Sequence, residues 1–236
     1  MKALLLNSGV GKRMGDLTKD KPKCLVSLKG EETILSRQVR ILLENNIQDI
    51  IITTGPFPEQ IQDYLESRYP GVGFTFVANP LYETTNYIYS MLLAKDFLGD
   101  DMILMHGDLV FDPILLRKTL DSPYDNTVLV NPSAELPEKD FKARLQEGRI
   151  REISIDIFGE DCSFLIPLYK LSESFSYNWL VEIEKYAELG NLGVYAEDAL
   201  NDILAENHLY PVYFSEELCS EVDDGNDLET VKSLLV

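Results

Sequence analysis

A chain of 236 residues with 45% apolar side chains can bury one substantial core, and that composition excludes general disorder. The formal net charge of −19 excludes nucleic-acid binding over a broad surface, which needs a basic face. The charge is uneven: residues 1–30 hold seven Lys/Arg against Asp16 and Asp20, a net of +5, and the remainder holds 14 basic and 38 acidic residues, a net of −24.

A basic focus on an acidic body suits a compact anion such as a nucleotide triphosphate; a solvated loop with incidental lysines is the competing reading. The longest apolar runs, residues 102–105 and 128–130 among them, are too short to cross a bilayer, so no membrane partner is expected. The N-terminus reads as a first strand and not as a secretion signal. Cys24, Cys162 and Cys219 are odd in number and far apart. They offer neither a CxxC pair nor a disulfide framework, and the cytoplasm is the expected compartment.

In chain order, residues 2–6 predict a short buried strand that leaves into a loop with Gly9, Gly11 and Gly15. Apolar spacing at Ile34, Leu35, Val39, Leu42 and Leu43 predicts a helix over 33–46. The β-branched run at 49–54 predicts a second strand. A helix at 58–69, a strand at 73–78, a helix at 86–97 and a strand at 101–106 continue the alternation. This argues for an α/β class: a Rossmann-like, mainly parallel mixed sheet with helices on both faces. After about residue 120 the rhythm changes to strands at 126–131, 141–146, 149–155 and 163–169. Helices at 172–189 and 195–206, strands near 210–214 and 219–222, and a helix from Asp227 close the chain. With no linker or repeat, one domain is expected over residues 1–236.

Four segments carry chemistry. The first, residues 7–23, places Gly9 and Gly11 after a strand, where backbone N–H groups can cradle phosphate oxygens. Arg13 and Lys23 add fixed positive charge. The GxxxxGK spacing of a P-loop and the third glycine of a dinucleotide fingerprint are both missing. The second is Asn79-Pro-Leu-Tyr82 continuing through Thr85-Asn86 to Ser90. Thr85 and Asn86 suit either a helix N-cap or a pyrimidine edge, and both roles can coexist. The third, His106-Gly-Asp108, ends a strand at the sheet edge where ligands sit, so Asp108 suits a hard cation or caps the next turn. His106 is expected to be packed or hydrogen-bonded and is given no role. The fourth runs from Cys219 through Glu221-Val-Asp223-Asp224 to Asp227.

The first segment resembles the signature Gly-x-Gly-Ser/Thr-Arg-Met/Leu-x-x-Leu-Thr-x-x-x-Pro-Lys of nucleotidyltransferases built on a GT-A-like Rossmannoid sheet. Gly9, Gly11, Arg13, Met14, Leu17, Thr18, Pro22 and Lys23 match. Lys12 departs from the usual Ser/Thr, and Asn7-Ser8 from the usual small pair. The second segment resembles Asn-Pro-x-Tyr-x-x-Thr-Asn-x-x-Ser of the phosphocholine and 2-aminoethylphosphonate cytidylyltransferase branch.

The resemblance implies a nucleotide-binding half at 1–120, with Leu6, Asn7, Ser8, Gly9, Gly11, Lys12, Tyr82, Thr85, Asn86 and Ser90 around the nucleotide. It implies Mg2+ as cofactor on Asp108 and Asp223, with Asp224 as the alternative second ligand and Asp227 capping the last helix. Lys23 and Arg13 would act on the triphosphate, joined by Lys142 on a strand. The half at 121–236 would bind the acceptor. Tyr169, Trp179 and Tyr195 are each either core aromatics or faces for an ammonium group, and Glu197 and Asp198, about 100° apart on a helix, would put one carboxylate on the site.

The expected reaction joins CMP from CTP to a small phosphorylated or phosphonylated amine and releases pyrophosphate. CTP against UTP, the identity of the acceptor and a homodimeric assembly are left open. A sugar-1-phosphate nucleotidyltransferase and an inactive nucleotide-sensing subunit are the alternatives. Retention of Lys23, Asp108 and Asp223 together speaks against the second.

Overall fold

The computed structural model describes residues 1–235. β1 (Lys2–Asn7) leaves into a glycine-rich loop holding two 3-10 turns, Lys12–Thr18 and Lys23–Leu25. A small antiparallel hairpin, β2 (Ser27–Lys29) and β3 (Glu32–Thr33), leads into α1 (Ile34–Glu44). Thr33 and Ser36 form a reciprocal capping box that starts this helix. β4 (Ile50–Thr54), α2 (Pro58–Arg68), β5 (Phe74–Ala78), α3 (Tyr87–Ala94) and β6 (Met102–His106) follow as the sequence pattern predicts.

Besides the β2–β3 hairpin, two elements were not expected: β7 (Leu109–Phe111) and α4 (Pro113–Leu120). Each is short, and the signal for α4 is Pro113 at its first helical position after Asp112, where a missing N–H costs nothing. The second half supplies β8 (Thr127–Asn131), β9 (Lys142–Gln146), β10 (Arg149–Ser154) and β11 (Cys162–Leu171). It ends with α5 (Glu173–Glu188), α6 (Ala196–Ile203), β12 (Tyr210–Tyr213), β13 (Cys219–Glu221) and α7 (Gly225–Leu234).

One nine-stranded sheet runs through both halves in the order β10-β9-β11-β6-β1-β4-β5, with β8 on β11 and β12 on β8. The β6-β1-β4-β5 block is parallel, while β11 joins β6, β8 and β9 antiparallel. β11 serves three neighbours because it is ten residues long: Cys162–Phe164 pair with β9 and Leu168–Leu171 with β6, while its register against β8 shifts between Ile166 and Tyr169, around Pro167, which has no N–H for a ladder. Alternation along β1 sends Leu4 and Leu6 into one core layer, beneath α3, α5 and α6, and Ala3 and Leu5 into the other, beneath α1, α2 and α4. Both faces are covered, which is why β1, β4 and β6 read as continuous apolar runs.

A third, smaller cluster matters most for function. Met14 from the glycine loop, Val110 from β7, Val222 after β13 and Leu228 and Val231 from α7 pack together. This anchors the loop, the turn after β6 and the end of β13 to one another. Among the described residues, no helix is long and apolar enough to cross a membrane.

Candidate active site

A cleft of about 460 Å³ opens at the carboxyl ends of β1 and β6, the edge where open α/β sheets bind ligands. Its centre is Lys23. The ammonium Nζ donates to Asp108 Oδ2 at 2.7 Å and to Asp223 Oδ1 at 2.8 Å. Arg13 reaches the same Asp223 oxygen at 2.9 Å. Burial would lower the Lys23 pKa, but Asp108 and then Asp223 outweigh it and hold the ammonium above the usual lysine value. Asp108 is the mirror case: burial pushes its carboxyl up, and Lys23 and His106 more than reverse that, holding it ionised below the usual range.

Backbone geometry aims these groups. Gly11 sits at φ 68°, and a Cβ there would meet Lys23 Cβ at 3.1 Å. Gly107 packs so closely that a Cβ would lie 2.0 Å from Asn7 Oδ1. Gln38 Nε2 donates to the carbonyls of His106 and Leu109, both at 2.8 Å, and clamps the turn that presents Asp108. Val222 N–H donates to Asp108 O at 3.0 Å, so the two acid-bearing segments are stitched together. Asp224 faces elsewhere. Its Oδ1 accepts the N–H groups of Asn226 and Asp227, and Asp227 returns the contact to the N–H groups of Asp223 and Asp224. Asp224 is therefore the N-cap of α7 and Asp227 its reciprocal partner, so the helix begins two residues earlier than expected.

Of the residues expected around a nucleotide, Leu6, Ser8, Gly9, Gly11, Lys12, Tyr82, Thr85 and Asn86 line the cleft together with Arg13 and Lys23. Asn7 and Ser90 stand behind that wall. Ser90 is fully buried and hydrogen-bonds to Ser8 and Asn79. Asn86 also caps α3, its Oδ1 accepting the Tyr87 N–H at 2.8 Å.

The acceptor-side expectations need correction. Trp179 is core: fully buried, with Nε1–H donating to Ala196 O at 2.9 Å. Tyr169 is equally buried, and its hydroxyl donates to Glu197 Oε1 at 2.9 Å. Glu197 is 1% exposed and takes a second phenol, Tyr87, on Oε2, so its carboxylate is spent inside the protein. Asp198 accepts the Tyr195 N–H at 2.9 Å as a helix-start group and borders an adjoining cavity of about 330 Å³. Tyr195 alone of these five lines the main cleft. Lys142 is also away from it. Its Nζ donates to Pro137 O at 2.6 Å and lies 4.3 Å from the Phe158 ring centroid. Strand alternation explains this: Phe141 faces the cleft, so its neighbour points to the other side.

Sequence reasoning passed over Tyr87, Phe141 and Glu221, which line the cleft with His106, the residue expected to be packed or hydrogen-bonded. His106 Nδ1 pairs with Glu221 Oε1 at 2.9 Å, and the ring packs edge-on against Tyr87 at 4.7 Å between centroids. Burial alone would lower the His106 pKa; Glu221, then Glu197 and Asp108, raise it well above the ordinary histidine value. The available signal was the two-residue spacing of His106 from Asp108 and Glu221 from Asp223.

Asp108 and Asp223 already converge on one cation, Lys23, and the buried Asp108 Oδ1 has no protein partner. Two carboxylates on a shared cleft wall fit a hard divalent ion such as Mg2+. His106, Asp108 and Glu221 also offer ligand atoms within 4.8 Å of one another, but His106 and Glu221 are spent on each other.

A glycine-rich loop, a bridging lysine and paired acids thus meet at the strand ends of an open α/β sheet. The chain belongs to the family of the MobA-like NTP transferase domain, whose profile matches residues 3–234. It is similar to the CTP:phosphoglutamine cytidylyltransferase of Campylobacter jejuni, 26% identical over 246 residues that cover 97% of this chain and 92% of that protein. The CMP-5'-(3-aminopropyl)phosphonate synthase of Streptomyces rubellomurinus is 30% identical over 128 residues, 54% of this chain. This match spans only 20% of that relative's length. The solved CTP:phosphocholine cytidylyltransferase of Streptococcus pneumoniae has the same fold, with a TM-score of 0.78 at 22% identity, covering 100% of this chain and 99% of that one.

Proposed function

We propose that this chain transfers CMP from CTP to the phosphate or phosphonate of a small amine-bearing acceptor and releases pyrophosphate. The observation that carries the reading is Lys23, held at 2.7 and 2.8 Å from acids on two separate strand ends, inside a cleft roofed by the glycine loop. The cytidylyltransferases among its relatives support the nucleotide and the acceptor class.

An oxygen of the acceptor's phosphate or phosphonate attacks the α-phosphorus in line. The new O–P bond forms as the bond to the bridging oxygen breaks, and pyrophosphate carries away the electron pair. The attacking oxygen is already ionised near neutral pH, so no general base is required. Catalysis is positioning and charge stabilisation. The N–H groups around Gly9 and Gly11 cradle the triphosphate, and Lys23 and Arg13 hold negative charge on it and on the leaving group. Asp108 and Asp223 would hold Mg2+, which when bound supplies further charge neutralisation at the phosphates. The aromatic wall of Tyr87, Phe141 and Tyr195 suits the apolar and cationic parts of the acceptor and keeps water from the reacting atoms.

The test is pyrophosphate release from four NTPs crossed with phosphocholine, phosphoethanolamine, 2-aminoethylphosphonate, a phosphorylated amino-acid amide and glucose 1-phosphate, with and without Mg2+. The expected result is Mg2+-dependent release from CTP with one or more of the amine-bearing acceptors. Release with glucose 1-phosphate alone would overturn the acceptor class.

A further inference from the structure

We infer that Asp140 is a specificity-determining residue of the acceptor site, whose carboxylate takes a hydrogen bond from the acceptor's ammonium and so selects primary amines over quaternary ones. The inference rests on the acceptor reading above. It narrows the class from any small amine to a phosphate or phosphonate on a short arm that ends in an N–H-bearing ammonium.

Four acids line the cleft: Asp108, Asp140, Glu221 and Asp223. Three of them already have a partner in the protein. Asp108 and Asp223 share Lys23, and Glu221 pairs with His106 at 2.9 Å. Half-buried Asp140 differs, because among the described residues none donates to its carboxylate or forms an ion pair with it. The two cations whose charges reach it are engaged elsewhere, Arg13 on Asp223 at 2.9 Å and Lys142 on Pro137 O at 2.6 Å. Burial, and then the charges of Asp223 and Asp227, push the Asp140 carboxyl above the usual range, and Arg13 and Lys142 offset this only in part. A carboxylate in that setting gains more from an arriving cation than one already paired.

Its place in the cleft sets the length of the acceptor. Towards the phosphates, Arg13 and Asp223 lie close enough for their charges to act on it. On its other side it adjoins Phe141, whose ring stands edge-on to that of Tyr195 at 5.1 Å between centroids. The Tyr87 ring continues this wall at 6.0 Å from Tyr195. An acceptor with its phosphorus beside Lys23 can lay an aminoethyl or aminopropyl arm along the rings and bring its nitrogen to Asp140. The two kinds of ammonium part company there. A quaternary ammonium has no N–H and relies on aromatic faces, and its methyl groups hold the carboxylate at a distance. A primary ammonium donates directly, and a charge-assisted bond of this kind is about twice as strong as a neutral one.

The experiment takes the best primary-amine acceptor of the panel above with its N-methyl, N,N-dimethyl and N,N,N-trimethyl forms, a series that for phosphoethanolamine ends in phosphocholine. It measures kcat/KM for each at saturating CTP and Mg2+ on the wild type, Asp140→Asn and Asp140→Glu. The wild type should prefer the primary amine to the trimethyl form by about 100-fold or more, the scale at which sites built to hydrogen-bond a group reject an analogue without it. The largest single drop should come with the third methyl, which removes the last N–H. Asp140→Asn should cut the preference by about tenfold or more through a higher KM for the primary amine, as expected for a lost charged hydrogen bond. The KM for CTP should stay within about twofold. Asp140→Glu, which keeps the charge, should stay closer to the wild-type preference than Asp140→Asn. All acceptors are read on one preparation, so partial unfolding leaves the ratio intact. The Mg2+ concentration that gives half the maximal rate should be the same in Asp140→Asn and wild type; a rise of about tenfold would make Asp140 a metal ligand and overturn the inference. Equal use of the trimethyl form by the wild type, or a preference unmoved by Asp140→Asn, would also overturn it and leave the proposed function standing. If no amine-bearing acceptor releases pyrophosphate, both fall.

Discussion

The two walls of the cleft are built on opposite plans. The wall proposed for the triphosphate concentrates ionised groups, Lys23, Arg13, Asp108 and Asp223, within ion-pairing distance and leaves them facing the cleft. The wall proposed for the acceptor has two acids satisfied from within: Glu197 by two phenols and Glu221 by His106. These charges are paired on both walls, and those on Lys23, Arg13, Asp108 and Asp223 are the ones the proposed reaction uses. The difference separates residues that should change turnover from residues that should change stability.

The largest expected effect is on the first wall. Lys23→Ala should lower kcat by about 10²- to 10³-fold, the scale for losing one fixed charge at developing negative charge, while the KM for CTP moves less than tenfold. Steady-state kinetics decide it, and equal losses in both parameters would make Lys23 a ground-state binding group. The second effect belongs to the layer behind the acceptor wall. Trp179→Ala should cost about 3–5 kcal/mol in denaturant unfolding, as large-to-small core substitutions do. Trp179→Phe should leave the acceptor's KM within twofold. A tenfold rise with Phe would return Trp179 to the binding surface.

Lys142→Met sharpens the comparison further. The Lys142 ammonium ties down the loop carbonyl of Pro137, so the variant should soften thermal unfolding by a few degrees and leave kcat within about threefold. A hundredfold loss of kcat would mean that Lys142 reaches the triphosphate during turnover.

The smallest effect lies far from both walls. Lys118, with the Ser215 N–H, holds the Glu217 carboxyl down to about 2 from an ordinary 4.5. A depressed carboxyl stabilises the fold in full above its unfolded pKa and loses that contribution as pH falls through the folded one. Melting curves of Glu217→Gln and wild type should therefore differ slightly at pH 7 and converge between pH 4.5 and 2. A gap that widens in acid would contradict the pairing.

How much was legible in the sequence follows the same division. The parallel core could be read because β1, β4 and β6, buried on both faces, are short unbroken apolar runs. The glycine loop that brings Arg13 and Lys23 to the cleft could be singled out because residues 7–23 carry it on one continuous stretch. β7 and α4 escaped because three and eight residues give too few turns of any period to stand out. The acceptor wall escaped for another reason. Tyr87, His106, Phe141, Tyr195 and Glu221 come from different elements and meet only through the sheet order. Aromatics there look the same in sequence whether they face a ligand, as Tyr195 does, or the core, as Trp179 does. Asp223 and Asp224 were likewise indistinguishable until the cap of α7 claimed one of them.

That last pair offers the most direct test that paired acids at the strand ends form the catalytic centre. Pyrophosphate release from CTP in Mg2+ should be compared for Asp223→Asn and Asp224→Asn, each checked for folding by its melting curve. The account predicts that Asp223→Asn stays folded and loses turnover by about 10³-fold or more, since an amide is a poor substitute for a carboxylate on a hard cation. Asp224→Asn, which keeps a capping oxygen, should retain most of its activity. Near-full turnover in Asp223→Asn together with its loss in Asp224→Asn would contradict the account.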